Sequence, residues 1–178
     1  MKVYDNLIGT VREFLPLLHR YVRLRRRLLG VEELHMYDLY VPVVPGVDMK
    51  IPFAQAKEMV QEGLAPMGEE YLGHLREGME GGWIDVYENQ GKRSGAYSWG
   101  ATDWHPYVLM NYHDNLNNVF TLAHEMGHAL HSYYSDHAQP YVYAGYKIFV
   151  AEVASTCNES LLIHSLIGKA RDVRRRPI

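Results

Sequence analysis

The stretch Phe120-Thr121-Leu122-Ala123-His124-Glu125-Met126-Gly127-His128 decides how the rest of the chain reads. It contains the pattern H-E-x-x-H. An α-helix turns about 100° per residue, so positions four apart lie about 40° from each other and two imidazoles can reach one ion. Glu125 sits beside them, placed to take a proton from a water on that ion. The surroundings argue against a chance match. Val119, Leu122, Met126, Ala129 and Tyr133 all fall within roughly 40° of the side opposite His124. The helix therefore has an apolar face for a core and a histidine face for a cleft. The expectation is a zinc site with His124 and His128 as ligands and Glu125 as general base.

A catalytic zinc usually takes three protein ligands and keeps one position for water. The metzincin pattern would need glycine at 131 and histidine at 134. The chain has His131 and Tyr134 there, so that class fails. The remaining route is a glutamate from the next helix, read from Ile148 to Ile163 with Phe149, Val153, Cys157, Leu161 and Leu162 on its apolar side. Glu152 and Glu159 stand seven apart, nearly in line on one face. Glu152 is the expected third ligand. Glu159 is the alternative, or an outer group that orients a ligand histidine, or an ordinary paired carboxylate. His131 lies about 20° from His124 on the wheel. It reads as a cleft-lining or outer residue rather than a ligand, with an ordinary polar position as the plain alternative.

Working outward, Asp5 to Leu29 has helical periodicity, interrupted by Pro16, which should kink or split the helix. Gly30 suits its C-terminal cap. Arg23-Leu24-Arg25-Arg26-Arg27 reads as a solvated basic face, since no aromatic residues are interleaved for stacking on nucleic-acid bases. Met36 to Val41 has a strand-like mix, broken by Pro42, Pro45 and Gly46. Helices follow from Phe53 to Ala65 and from Gly68 to Met79. Trp83 to Tyr87, Ala96 to Trp99 and Tyr107 to Tyr112 read as a small twisted sheet. The expected fold is mainly α with a small β-sheet (α+β). Its organisation is one partial catalytic domain over 1–178: residues 1–80 mainly helical with one strand, 83–112 the sheet, and 115–165 the zinc-site helices.

Bulk properties narrow the function. A hydrophobic content of 47% over 178 residues can bury one core. The formal charge of −3 argues against a nucleic-acid partner. Cys157, the single cysteine, excludes an internal disulfide framework. No apolar run is long enough to span a bilayer and the first residues lack a signal-peptide pattern, so a soluble cytoplasmic protein with no membrane partner is expected.

Several segments together resemble the oligoendopeptidase F group of the thimet oligopeptidase-like zinc metallopeptidases. They are Glu33 to Asp38, Gly91 to Tyr97, His105 to Tyr112, Phe120 to His128 and Phe149 to Ser155. The resemblance implies a zincin-like core of helices with a small sheet beside a zinc cleft. It implies Zn²⁺ as cofactor and cytoplasmic cleavage of short peptides, and it too places the third ligand on Glu152. By analogy with zinc peptidases, an edge strand pairs with the substrate backbone. The candidates are Gly95, Ala96 and Tyr97, or Val108 and Met110. Members of that family are several times longer, and their later helices supply oxyanion-stabilising groups. The chain is therefore expected to be a fragment whose zinc site is complete and whose active site is not. The rival expectation is a catalytically incomplete zinc-binding fragment that self-associates through uncovered apolar surface.

Overall fold

The computed structural model describes residues 2–43 and 49–174. Met1, residues 44–48 with the expected loop breakers Pro45 and Gly46, and residues 175–178 lie outside the described residues. The chain divides into two compact units, Met1–Val47 and Asp48–Ile178.

In the first unit, helix α1 spans Lys2–Leu29 and is not split at Pro16. Gly30 takes a left-handed φ of 69° and ends the helix, with Val31 N–H reaching back to the carbonyl of Arg26. The expected strand at Met36–Val41 is instead a 3₁₀ turn over Met36–Tyr40. Its backbone groups are claimed locally. The Asp38 carboxylate accepts from His35 N–H at 2.8 Å. The Arg25 guanidinium donates to the carbonyls of Asp38, at 2.8 Å, and of Val41. Those are carbonyls that a strand would offer to a ladder. Arg25 is thus buried and used, which corrects the reading of the arginine run as wholly solvated.

In the second unit, α2 (Phe53–Gly63) leads through a 3₁₀ turn at Ala65–Met67 to α3 (Glu69–Glu80). Three short strands follow: β1 (Ile84–Asp85), β2 (Tyr97–Trp99) and β3 (Tyr107–Leu109). Helices α4 (Leu116–Ala138), α5 (Tyr141–Ala144) and α6 (Ile148–Arg174) complete it. The α4 start is fixed by Asn115, whose side chain accepts from Asn118 N–H at 2.9 Å. The expected mainly helical fold with a small sheet is what the structure has. The sheet order is β1-β3-β2, with β1 parallel and β2 antiparallel to β3.

The core forms around α4. Val119, Leu122, Met126 and Ala129 are fully buried, as the helical wheel required, and pack with Val60, Leu75, Val108 and Leu162. α6 keeps its expected face at Leu161 and Leu162, which pack on the core, and departs from it earlier along the helix. Phe149, Val153 and Cys157 are exposed, while Ala151, Ser155, Asn158 and Leu162 are buried. The cause is the closeness of α4 and α6. A Cβ placed on Gly127 would stand 2.7 Å from Ser155 Cα and 3.0 Å from the Ala154 carbonyl oxygen. Only small side chains fit such a crossing, so Phe149 and Val153 turn outward there. Asn158 ties the layers together. Its amide donates to the Ala123 carbonyl at 3.0 Å, and its oxygen accepts from the Tyr71 hydroxyl on α3 at 2.9 Å.

Gly127→Ala should therefore destabilise the chain, although alanine is the better helix former, because the opposing atoms are backbone and cannot swing aside. The expected loss is about 1–3 kcal/mol, or roughly 2–12 °C in Tm by differential scanning calorimetry. An unchanged or raised Tm would contradict the close crossing.

Candidate metal centre

Helix α4 presents His124 and His128 one turn apart, and α6 brings Glu152 against them. His124 Nε2 and His128 Nε2 are 3.1 Å apart. Glu152 Oε2 lies 3.5 Å from the first and 3.6 Å from the second. Ligand atoms held 2.0–2.2 Å from a tetrahedral zinc stand roughly 3.3–3.6 Å from one another, so this triangle has the size such an ion needs. Two imidazoles and one carboxylate are also the donor set that suits it. The trio is the three-residue cluster able to hold a metal among the described residues.

Glu159 does not join the triangle. Its Oε1 lies 2.5 Å from His124 Nδ1, the far ring nitrogen. A carboxylate there keeps the proton on Nδ1 and leaves the Nε2 lone pair free to bind a metal. Ser155, missed in the sequence reading, donates its hydroxyl to Glu152 Oε2 at 2.9 Å and is fully buried. Its position three residues after Glu152 on one helical face was the available signal.

Glu125 is buried, and its Oε2 has no hydrogen-bond partner among the described residues. Burial pushes its carboxyl up to about 7, His124 pulls the other way and Glu152 adds to the rise. A group that titrates near neutrality is matched to taking and returning a proton. Burial, then His124, lowers His128 below the ordinary histidine value and favours the neutral, ligating form. His131 stacks on Tyr146 with ring centroids 3.9 Å apart, and burial lowers its pKa. It lines an apolar cavity with Tyr71, Tyr134 and Cys157, outside the triangle.

The strand candidates divide. β3 is the middle strand, with Val108 N–H bonded to the Trp83 carbonyl and Met110 N–H to that of Asp85. Val108 and Met110 are also buried, so they cannot offer an open edge, which corrects that candidate pair. Since residues 108 and 110 face β1, residues 107 and 109 face β2 and bond to Trp99 and Tyr97. Strand alternation then turns the backbone groups of Tyr97 inward and those of Ser98 outward. No described strand pairs with that outer edge of β2. Gly95 and Ala96, just before β2, share a cavity of roughly 300 Å³ with Thr121, one turn before His124 on α4.

Residues 1–173 match the model of Peptidase family M3. The chain is a member of that family. Oligopeptidase PepF of Bacillus subtilis is 55% identical to this M3 chain over 175 residues, which are 98% of the chain and 26% of that relative. An oligoendopeptidase F homolog of Lactococcus lactis is 46% identical over 98% of this chain and 29% of its own length. A crystal structure of a Chlamydophila abortus protein assigned as a peptidase superposes with a TM-score of 0.80 at 44% identity, covering 94% of this chain and 28% of that one. The M3 chain thus spans a quarter to three tenths of the length of these relatives. The family resemblance read from the sequence is borne out.

The Glu125 environment gives a pH-dependent stability in the metal-free chain. Its folded value of about 7 lies above the ordinary 4.5, so between those values the folded chain binds more protons. Stability should fall as pH rises through that window. Chemical denaturation of metal-free Glu125→Gln should show a flatter slope there than the native chain. Identical slopes would contradict an uncompensated buried carboxyl.

Proposed function

We propose that this chain is the zinc-binding part of a cytoplasmic M3 endopeptidase that hydrolyses peptide bonds in short oligopeptides. The observation that carries this reading is the 3.1–3.6 Å triangle of His124, His128 and Glu152 with buried Glu125 alongside. Membership of a peptidase family supports the reaction class. Among the described residues no helix is long and apolar enough to cross a membrane. The proposed domain is a partial catalytic one spanning residues 1–178.

In the proposed mechanism His124, His128 and Glu152 hold Zn²⁺. The bound ion supplies Lewis acidity toward the attacking water and the scissile carbonyl. Glu125 accepts a proton from the water as its oxygen bonds to the carbonyl carbon. It then delivers that proton to the amide nitrogen as the C–N bond breaks. Glu159 holds His124 in the ligating tautomer, and Ser155 orients Glu152. The outward-facing backbone of Ser98 and the adjoining Ala96 are the proposed docking edge for substrate backbone.

A second reading draws on a different observation. Tyr141, Val142, Tyr143, Ile148, Phe149 and Val153 are all exposed along α5 and the start of α6. A chain that binds zinc without turnover and self-associates through this strip would also fit.

Metal content and cleavage of a quenched fluorescent peptide separate the two. The peptidase reading expects about one zinc per chain, turnover, and loss of turnover with zinc retained in Glu125→Gln. Zinc without turnover, with a concentration-dependent dimer in sedimentation, would favour the second. Glu159→Ala should keep the fold and weaken zinc affinity about 10–100-fold in a competitive chelator titration. Unchanged affinity would remove the orienting role from Glu159.

A further inference from the structure

The loop between β1 and β2 is held by two side chains whose donors all go to its backbone or base. Lys92 has a side chain only 3% exposed. Its ammonium donates to the carbonyls of Asp85 at 3.0 Å and Tyr87 at 2.7 Å, and pairs with the Asp85 carboxylate at 3.1 Å. Asn111, two residues past β3, donates through one amide nitrogen to the carbonyls of Arg93 and Gly95, both at 2.8 Å. Gly91 and Gly95 take left-handed φ values of 86° and 88°, which let the loop fold back so that these carbonyls converge. The three N–H donors of the Lys92 ammonium thus all have an acceptor on the loop or its base. The loop it holds forms one wall of the cavity that Thr121 joins to α4, one turn from His124.

We propose that Asn111 is a positioning residue for peptide binding. Its amide, working with Lys92, fixes the Arg93–Gly95 backbone so that the strand edge at Ala96 and Ser98 meets a peptide already in register. The inference rests on the peptidase reading and adds the device that presents the docking edge. Asn111 itself touches neither metal nor reacting atoms. Its effect falls on substrate binding, because the loop must be ordered before the edge can pair, and ordering it on binding weakens affinity.

Asn111→Asp keeps the shape and turns the donor into an acceptor facing two carbonyls, so it should open the loop at least as far as Asn111→Ala. Each variant is compared with the native chain for zinc content, for kcat and KM on a quenched fluorescent peptide, and for the Kd of that peptide in the Glu125→Gln background. The expected result is native zinc content, kcat within about twofold, and KM and Kd raised about tenfold, the size of two net hydrogen bonds. A purely structural role would instead lower the active fraction and hence kcat, with KM and Kd unchanged, and that result overturns the proposal. Equal Kd in native and variant chains overturns it as well. A native chain that binds no peptide would sink the peptidase reading itself, and the inference with it, which sets that failure apart from the other two.

Discussion

The site depends on one constraint, the near contact of α4 and α6 backbones at Gly127 and Ser155. Glu152 stands one turn before Ser155, and His124 and His128 flank Gly127. The separation of the two helix axes therefore sets the separation of the carboxylate from the imidazoles. A wider crossing would leave two histidines and a distant acid. The same closeness forces small or polar residues into the seam, and Asn158 makes use of this by spanning α3, α4 and α6 with both ends of its amide. Packing and chemistry are here one problem, since the side chains that let the helices approach are neighbours of those that converge.

Much of this was legible in the sequence, and the reasons are local. The helical spacing of His124 and His128 and the apolar stripe opposite them are properties of one helix, and α4 shows both. Glu152 and Glu159 share a face, and periodicity alone could not separate them. Their different partners, Nε2 for one and Nδ1 for the other, are a matter of how far each lies along a neighbouring helix.

What periodicity missed was set by partners distant in sequence. The apolar side of α6 was misjudged at Phe149, Val153 and Cys157, though not at Leu161 and Leu162, because a close crossing selects for size before hydrophobicity. Met36–Tyr40 has strand-like residues, but Asp38 and Arg25 take its polar backbone groups first. The edge strand was ambiguous because the order β1-β3-β2 does not follow the chain. Only the register shows which residues look outward.

That strand order has a consequence for assembly. β3 is the sole neighbour that either of the other described strands has in the sheet. As the chain leaves the ribosome, both β1 and β2 emerge before the segment that pairs them, and they wait unpaired until Tyr107–Leu109 arrives. Neither ribbon can form before β3 is present. Damage to β3 dissolves the whole sheet, whereas damage to an outer strand removes one ribbon and spares the other. Three residues outside the metal triangle thus act as the hub of the sheet.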